Sequence, residues 1–161
     1  MGYAPQIPGL DNRGPSGVAA SICKFRSADL TRASTSFVTD SDFAVPVAAG
    51  ATWRLHYCLF FVEGAGAGAK AQLDYTGMTV SAALGFGSIA GSSSTSNADL
   101  ILDGTSPATL LTTSDDSYHQ LNYTITLTAT VGGTVNLQWG CSAAFDVILN
   151  SRSSVIATRL A

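Results

Sequence analysis

Few residues in this chain have the types and spacing for chemistry. His119 follows Asp115, Asp116 and Ser117, which brings a carboxylate, a hydroxyl and an imidazole together along the chain. Nucleophilic triads draw their members from separate elements that converge in space, and near-adjacent residues rarely reach the required geometry. The run therefore reads as an exposed loop entering a strand. His56 and Cys58 alternate along one strand and could begin a metal site. Tetrahedral coordination needs two more ligands, which only His119, Cys141 or a carboxylate could supply. The three cysteines, Cys23, Cys58 and Cys141, are widely spaced and contain no C-x-x-C pair. They read as buried or partly buried thiols of a chain made in a reducing compartment. The pairs Asp40/Asp42 and Asp115/Asp116 sit in no D-x-D-x-D-G loop, so they read as solvated turns rather than calcium ligands. Residues 64–70, GAGAGAK, lack the Gly-Lys-Ser/Thr ending of a phosphate loop, and the Gly85–Gly91 run fits neither a dinucleotide fingerprint nor a G-x-S-x-G elbow. No catalytic residue, cofactor site or metal ligand is assigned.

The elements that must position these side chains are strands. In residues 52–62, Trp53, Leu55, Tyr57, Leu59 and Phe61 share one face, and Arg54, His56, Cys58 and Phe60 share the other. In residues 118–131, Leu121, Tyr123, Ile125, Leu127, Ala129 and Val131 oppose a ladder of Asn122, Thr124, Thr126, Thr128 and Thr130. Such a ladder suits a half-wet sheet face, because β-branched residues favour the pleat and hydroxyls tolerate water. Gly132-Gly133 separates this run from Val135, Leu137, Trp139 and Cys141, which predicts a two-residue hairpin. Further strands are expected at 35–38, 43–47, 71–75, 78–83, 84–89, 99–102, 108–112 and 154–160. Pro46 places its strand at a sheet edge. Residues 64–70 and 91–97 read as loops. No 11-residue window carries a capped helical stripe, so the fold class is all-β: an antiparallel jelly-roll sandwich with an extended N-terminal arm.

Composition sets the outer bounds. A chain of 161 residues forms one domain of ordinary size. It is 46% hydrophobic, only 12% charged, and carries a net charge of −3. That balance, with no basic patch interleaved with aromatics, argues against nucleic-acid binding. The most apolar window is too short to cross a membrane as a helix, and no basic-then-apolar leader opens the chain. Low charge implies covered surface, although threonine and serine on outward faces replace some of it.

Residues 1–30 differ from the rest. Three of the five prolines lie here, with glycines between them, so an extended arm is expected ahead of a sandwich domain at 31–161. Tyr3, Pro5, Ile7, Pro8, Leu10 and Arg13 are its candidate anchors to a partner.

The run Asp40-x-Asp42-Phe-Ala-Val-Pro-Val-Ala-Ala-Gly-Ala-Thr-Trp-Arg-Leu, continuing into Tyr57-Cys-Leu-Phe-Phe, resembles a module of virion proteins from phages of actinobacteria. So do the threonine-rich strand at 123–131, Val135-x-Leu137-Gln138-Trp139 and the final Ser154-Val-Ile-Ala-Thr-Arg159-Leu. Such modules are similar to trimeric jelly rolls of the tumour-necrosis-factor or C1q type. The resemblance covers roughly residues 35–161 and implies a structural, non-enzymatic virion protein. Its expected form is a homotrimeric capsid decoration protein on the head shell, made in the host cytoplasm and bound to the major capsid protein through the arm. A single short domain with its own start methionine fits that expectation. The alternative is a tail- or fibre-associated receptor-binding module. A jelly roll that trimerises needs a second apolar face, which Phe60 and Val62 would supply. Arg54, Arg152 and Arg159 would pair with acids across the subunit interface.

Overall fold

The computed structural model describes residues 20–64, 68–91, 95–102, 108–112 and 118–161. Twelve strands are described: β1 Ser21–Phe25, β2 Leu30–Arg32, β3 Val38–Val47, β4 Ala51–Glu63, β5 Ala69–Asp74, β6 Thr79–Gly91, β7 Thr95–Leu102, β8 Ala108–Thr112, β9 Tyr118–Val131, β10 Gly133–Cys141, β11 Val147–Leu149 and β12 Ser154–Arg159. The larger sheet runs β1-β12-β4-β9-β6-β7, with β11 beside β4 and β2 beside β11; the smaller runs β3-β10-β5-β8. Every pairing is antiparallel.

One rule generates this order. The first strand pairs the last, and the nesting continues inward through β2 with β11, β3 with β10, β4 with β9, β5 with β8 and β6 with β7. The chain is one long hairpin doubled on itself and rolled into two sheets, which is the winding of a jelly roll. β6 and β7 form the tip of that hairpin, and β6 pairs the free edge of β9.

The core between the sheets follows the alternation. Trp53, Leu55, Tyr57, Leu59 and Phe61 of β4 are buried against Leu121, Tyr123, Ile125, Leu127 and Ala129 of β9. Val135, Leu137, Trp139 and Cys141 of β10, with Phe43, Val45, Ala71 and Leu73, fill it from the other sheet. Phe61 and Trp139 meet edge to face with ring centroids 5.8 Å apart. Tyr123 lies across β6, where a Cβ on Gly85 would fall 1.8 Å from its hydroxyl. Glycine is required there by close approach.

Several expectations change. Gly132-Gly133 is not a hairpin turn, since β9 and β10 lie in different sheets. Two-residue hairpins need positive φ, and among described glycines only Gly50 and Gly77 have it. Gly132 is instead the corner between sheets: a Cβ there would stand 2.7 Å from the Ala49 nitrogen and 2.8 Å from the Val47 oxygen. The two strands expected at 78–83 and 84–89 are one strand, β6. Residues 95–97 belong to β7 rather than to a loop. Residues 21–30 were expected within the arm, yet β1 and the start of β2 lie there, so the sheets begin by Ser21. Pro46 does sit on an edge strand, β3.

Candidate interaction surface

With the odd-numbered positions of β4 turned inward, its even positions form the outer face of the larger sheet. Strand register arranges that face in rows. Ser21, Thr158, Arg54 and Thr126 make one row; Cys23, Ile156, His56 and Thr124 the next; then Phe25, Ser154, Cys58 and Asn122. Phe60 stands opposite Gln120, and Val62 lies between Ile148 and Tyr118.

Phe25, Tyr118 and Ile156 are exposed, at 66%, 72% and 42%, while Phe60 and Val62 are half-buried. Arg54 is the one side chain in these rows that carries a permanent charge. By contrast, the smaller sheet's outer positions include Lys70 and Asp74.

The polar groups of the larger face bond sideways to one another. Thr52 and Thr128 hydroxyls are 3.0 Å apart, His56 Nδ1 and Thr124 Oγ1 2.9 Å apart, and Gln120 Nε2 donates to Asn122 Oδ1 at 3.3 Å. Polar groups already paired within a face lose little when water is removed. The face is therefore built to tolerate cover.

At one side of the sandwich a charged clasp ties the sheets together. Arg26, in the turn after β1, pairs with the buried Asp40 of β3, and its second nitrogen is 3.5 Å from Asp42. Trp139 Nε1 donates to the same Asp40 oxygen at 2.9 Å. Arg32 lies over the Trp139 ring, 4.2 Å from its centroid, and donates to the carbonyls of Val38, Thr39 and Trp139. Burial lowers the Arg32 pKa from its ordinary value, with Asp40 acting in the opposite sense. Asp40 is thus no solvated turn residue: it neutralises a buried guanidinium and accepts a hydrogen bond from the indole N–H of Trp139. Asp42, more exposed, is the outer partner.

His119 is also displaced from its expected setting. It is 3% exposed, inside β9, with Nε2 3.5 Å from Glu63 Oε2. Glu63 Oε1 accepts the Ala69 N–H at 2.8 Å, which closes the base of the loop between β4 and β5. Parity could have revealed both residues, since Glu63 continues the inward series ending at Phe61 and His119 the series starting at Leu121. Asp115, Asp116 and Ser117 lie outside the described residues. Among the described residues no three His, Cys, Asp or Glu side chains group as a metal site. Cys141 is buried and donates to the Arg32 carbonyl at 2.9 Å, and burial pushes its thiol pKa up. Cys58 is half-buried, as expected, while Cys23 is exposed and departs from the expected buried or partly buried set.

The five candidate interface residues do not form one patch. Arg54, Phe60 and Val62 share the outer face. Arg152 lies in the turn between β11 and β12, where the neighbouring Asn150 N–H donates to the Phe60 carbonyl and Ser153 Oγ accepts from Phe60 N–H. Arg159 pairs with Trp53 in register, about 20 Å along β4 from Phe60, and has inward parity. Sequence reasoning missed Phe25, Ile156 and Tyr118 as exposed members of the face. The arm anchors Tyr3, Pro5, Ile7, Pro8, Leu10 and Arg13 lie outside the described residues.

No protein-family model matches the chain, and no curated protein matches its sequence. Among solved structures it is similar to chains of infectious bursal disease virus. These are the Gx strain (12% identity, TM-score 0.30, 99% of this chain, 41% of that one) and the VP2 subviral particle (12%, 0.25, 97% and 42%). The Gt strain follows at 11%, 0.28, 99% and 41%. The chain thus spans about two fifths of their length. At TM-scores this low, the likeness defines neither the details of the fold nor a role.

Proposed function

We propose that this chain is a structural virion protein, a homotrimer that decorates a capsid and buries the outer face of its larger sheet between subunits. The observation that carries this reading is the face itself: nearly uncharged in these rows, internally hydrogen-bonded, and carrying the exposed apolar side chains of Phe25, Ile156 and Tyr118. Its extent is that of a moderate contact: β1, β12, β4 and β9 hold 5, 6, 13 and 14 residues, which at about 3.3 Å by 4.8 Å each cover roughly 600 Å², about three quarters of one partner's usual share in a specific interface. The virion assignment is supported by the sequence resemblance, whose segments fall on β3, β4, β9, β10 and β12. The trimeric, tumour-necrosis-factor or C1q type of assembly belongs to the proposal, as do capsid-surface location and docking on the major capsid protein through Tyr3, Pro5, Ile7, Pro8, Leu10 and Arg13.

In dilute solution, light scattering should return three times the chain mass. Thr126→Lys, which puts a charge in the middle of the face, should give a folded monomer with an unchanged circular dichroism spectrum. A wild-type monomer would overturn the covered-face reading. Hundreds of copies per virion would support decoration, and a few dozen or fewer would favour the tail.

A further inference from the structure

We infer that β1 is a second self-association site, through which two copies of this chain pair edge to edge and continue the larger sheet across a two-fold axis. β1 is an outer strand of that sheet, paired only with β12 among the described residues. Its even positions are turned toward β12: Arg26 N–H donates to the Ser153 carbonyl, and the Ala20 carbonyl accepts from Arg159 N–H. By antiparallel alternation, the N–H and C=O groups of Ser21, Cys23 and Phe25 point away from the sheet. No hydrogen bond from a described residue meets them, and their side chains are exposed.

Open edges are normally blunted by charge, proline or a bulge, and both edges of the smaller sheet, β3 and β8, are. Pro46 interrupts β3, and Lys24, Arg32 and Arg26 cross to it, the first two capping the carbonyls of Ala44, Val38 and Thr39. The register of β8 against β5 is shifted by an irregularity between Ala71 and Gln72. The single charge in β1, Lys24, is turned to the other side and bonded to the Ala44 carbonyl.

The occupant that fits is a second β1. A two-fold axis at Cys23 sets Ser21 against Phe25 of the partner subunit, Cys23 against the partner's Cys23, and Phe25 against Ser21 of the partner subunit. All three pairs present outward groups on both strands, so about six backbone hydrogen bonds form. Lys24 falls opposite Ile22 of the partner subunit, and no like charges meet. Phe25 and Ile156 from both copies then form one apolar strip along the seam, and the two outer faces become continuous. This contact is distinct from the face-to-face contact proposed above and does not depend on it.

The register gives a sharp test in the full-length protein. Facing Cα atoms in such a pair are about 5.5 Å apart, so a short bis-maleimide should join Cys23 to the partner's Cys23, identified by peptide mapping. The double variant Ser21→Cys/Cys23→Ser moves the thiol to positions about 14 Å apart across the seam and should not cross-link. Cys23→Lys sets two ammonium groups against each other at an exposed position and should halve the assembly mass measured at high chain concentration. If the face also trimerises, the change is from six chains to three; if it does not, from two to one. Equal cross-linking by the Ser21→Cys variant, or a mass unmoved by Cys23→Lys, would overturn the edge pairing in either case.

Discussion

Buried polar atoms in this protein divide into those with partners and those without. Asp40 serves Arg26, Trp139 Nε1 and the Asp42 N–H together. Asp40→Ala leaves an indole N–H unpaired and the buried Arg26 guanidinium with only the more exposed Asp42 as its acid, and should cost about 3 kcal/mol in urea unfolding. The Tyr57 and Tyr123 hydroxyls are buried with no hydrogen-bond partner among the described residues. Such a group pays a desolvation penalty of about 1–3 kcal/mol, so Tyr57→Phe should raise the melting temperature rather than lower it. Burial raises both phenols, Tyr123 to about 12 and Tyr57 also upward. In the unfolded chain they ionise near 10, so between 10 and 12 the unfolded state holds fewer protons and stability falls as pH rises. The loss should approach about 1.4 kcal/mol per pH unit for each phenol. Unfolding midpoints should be insensitive to these groups below about pH 9, and Tyr123→Phe should flatten the alkaline decline.

At the scale of elements, legibility depended on length and regularity. β4, β9 and β10 carry uninterrupted alternation, so their inward residues could be named from the sequence and, apart from Val131, which is exposed at the end of β9, are the ones found in the core. β2 and β11 have three residues each, too few to show a period. β1 does alternate, with Ile22 and Lys24 against Cys23 and Phe25, but the prolines and glycines before it masked the signal. The Gly132 corner was misread because a turn within a sheet and a crossing between sheets use the same residue for different reasons. A hairpin needs glycine's positive φ; the corner needs its missing Cβ. Gly132→Ala should therefore destabilise the fold by about 1–3 kcal/mol through overpacking, whereas Gly77→Ala, with open space around it, should cost only about 1 kcal/mol of backbone strain. Thermal unfolding of the two variants separates these mechanisms.

For the whole molecule, nested pairing makes the two ends of the chain interdependent. β1 lies on β12, and Arg26 just beyond it reaches across to β3. A truncation meant to remove the arm must therefore stop before β1. Deleting residues 1–19 should leave the unfolding midpoint nearly unchanged, while deleting 1–30 removes β1 and the Arg26–Asp40 pair and should lower it sharply. Capsid binding by the shorter truncation is the clean test of the arm's role.

The sequence by itself determined the all-β class, the inward faces of the long strands, the outward threonine ladder and the edge placement of Pro46. These follow from a two-residue period and from proline's missing donor, which are local properties of the chain. Which strands lie side by side was decided only in three dimensions, where β9 and β10 part at Gly132 and the chain ends meet. The same holds for charge. Nothing local distinguishes Asp40 from Asp42, or His119 from a loop histidine, because burial and pairing depend on groups such as Arg26 and Glu63 that fold in from elsewhere.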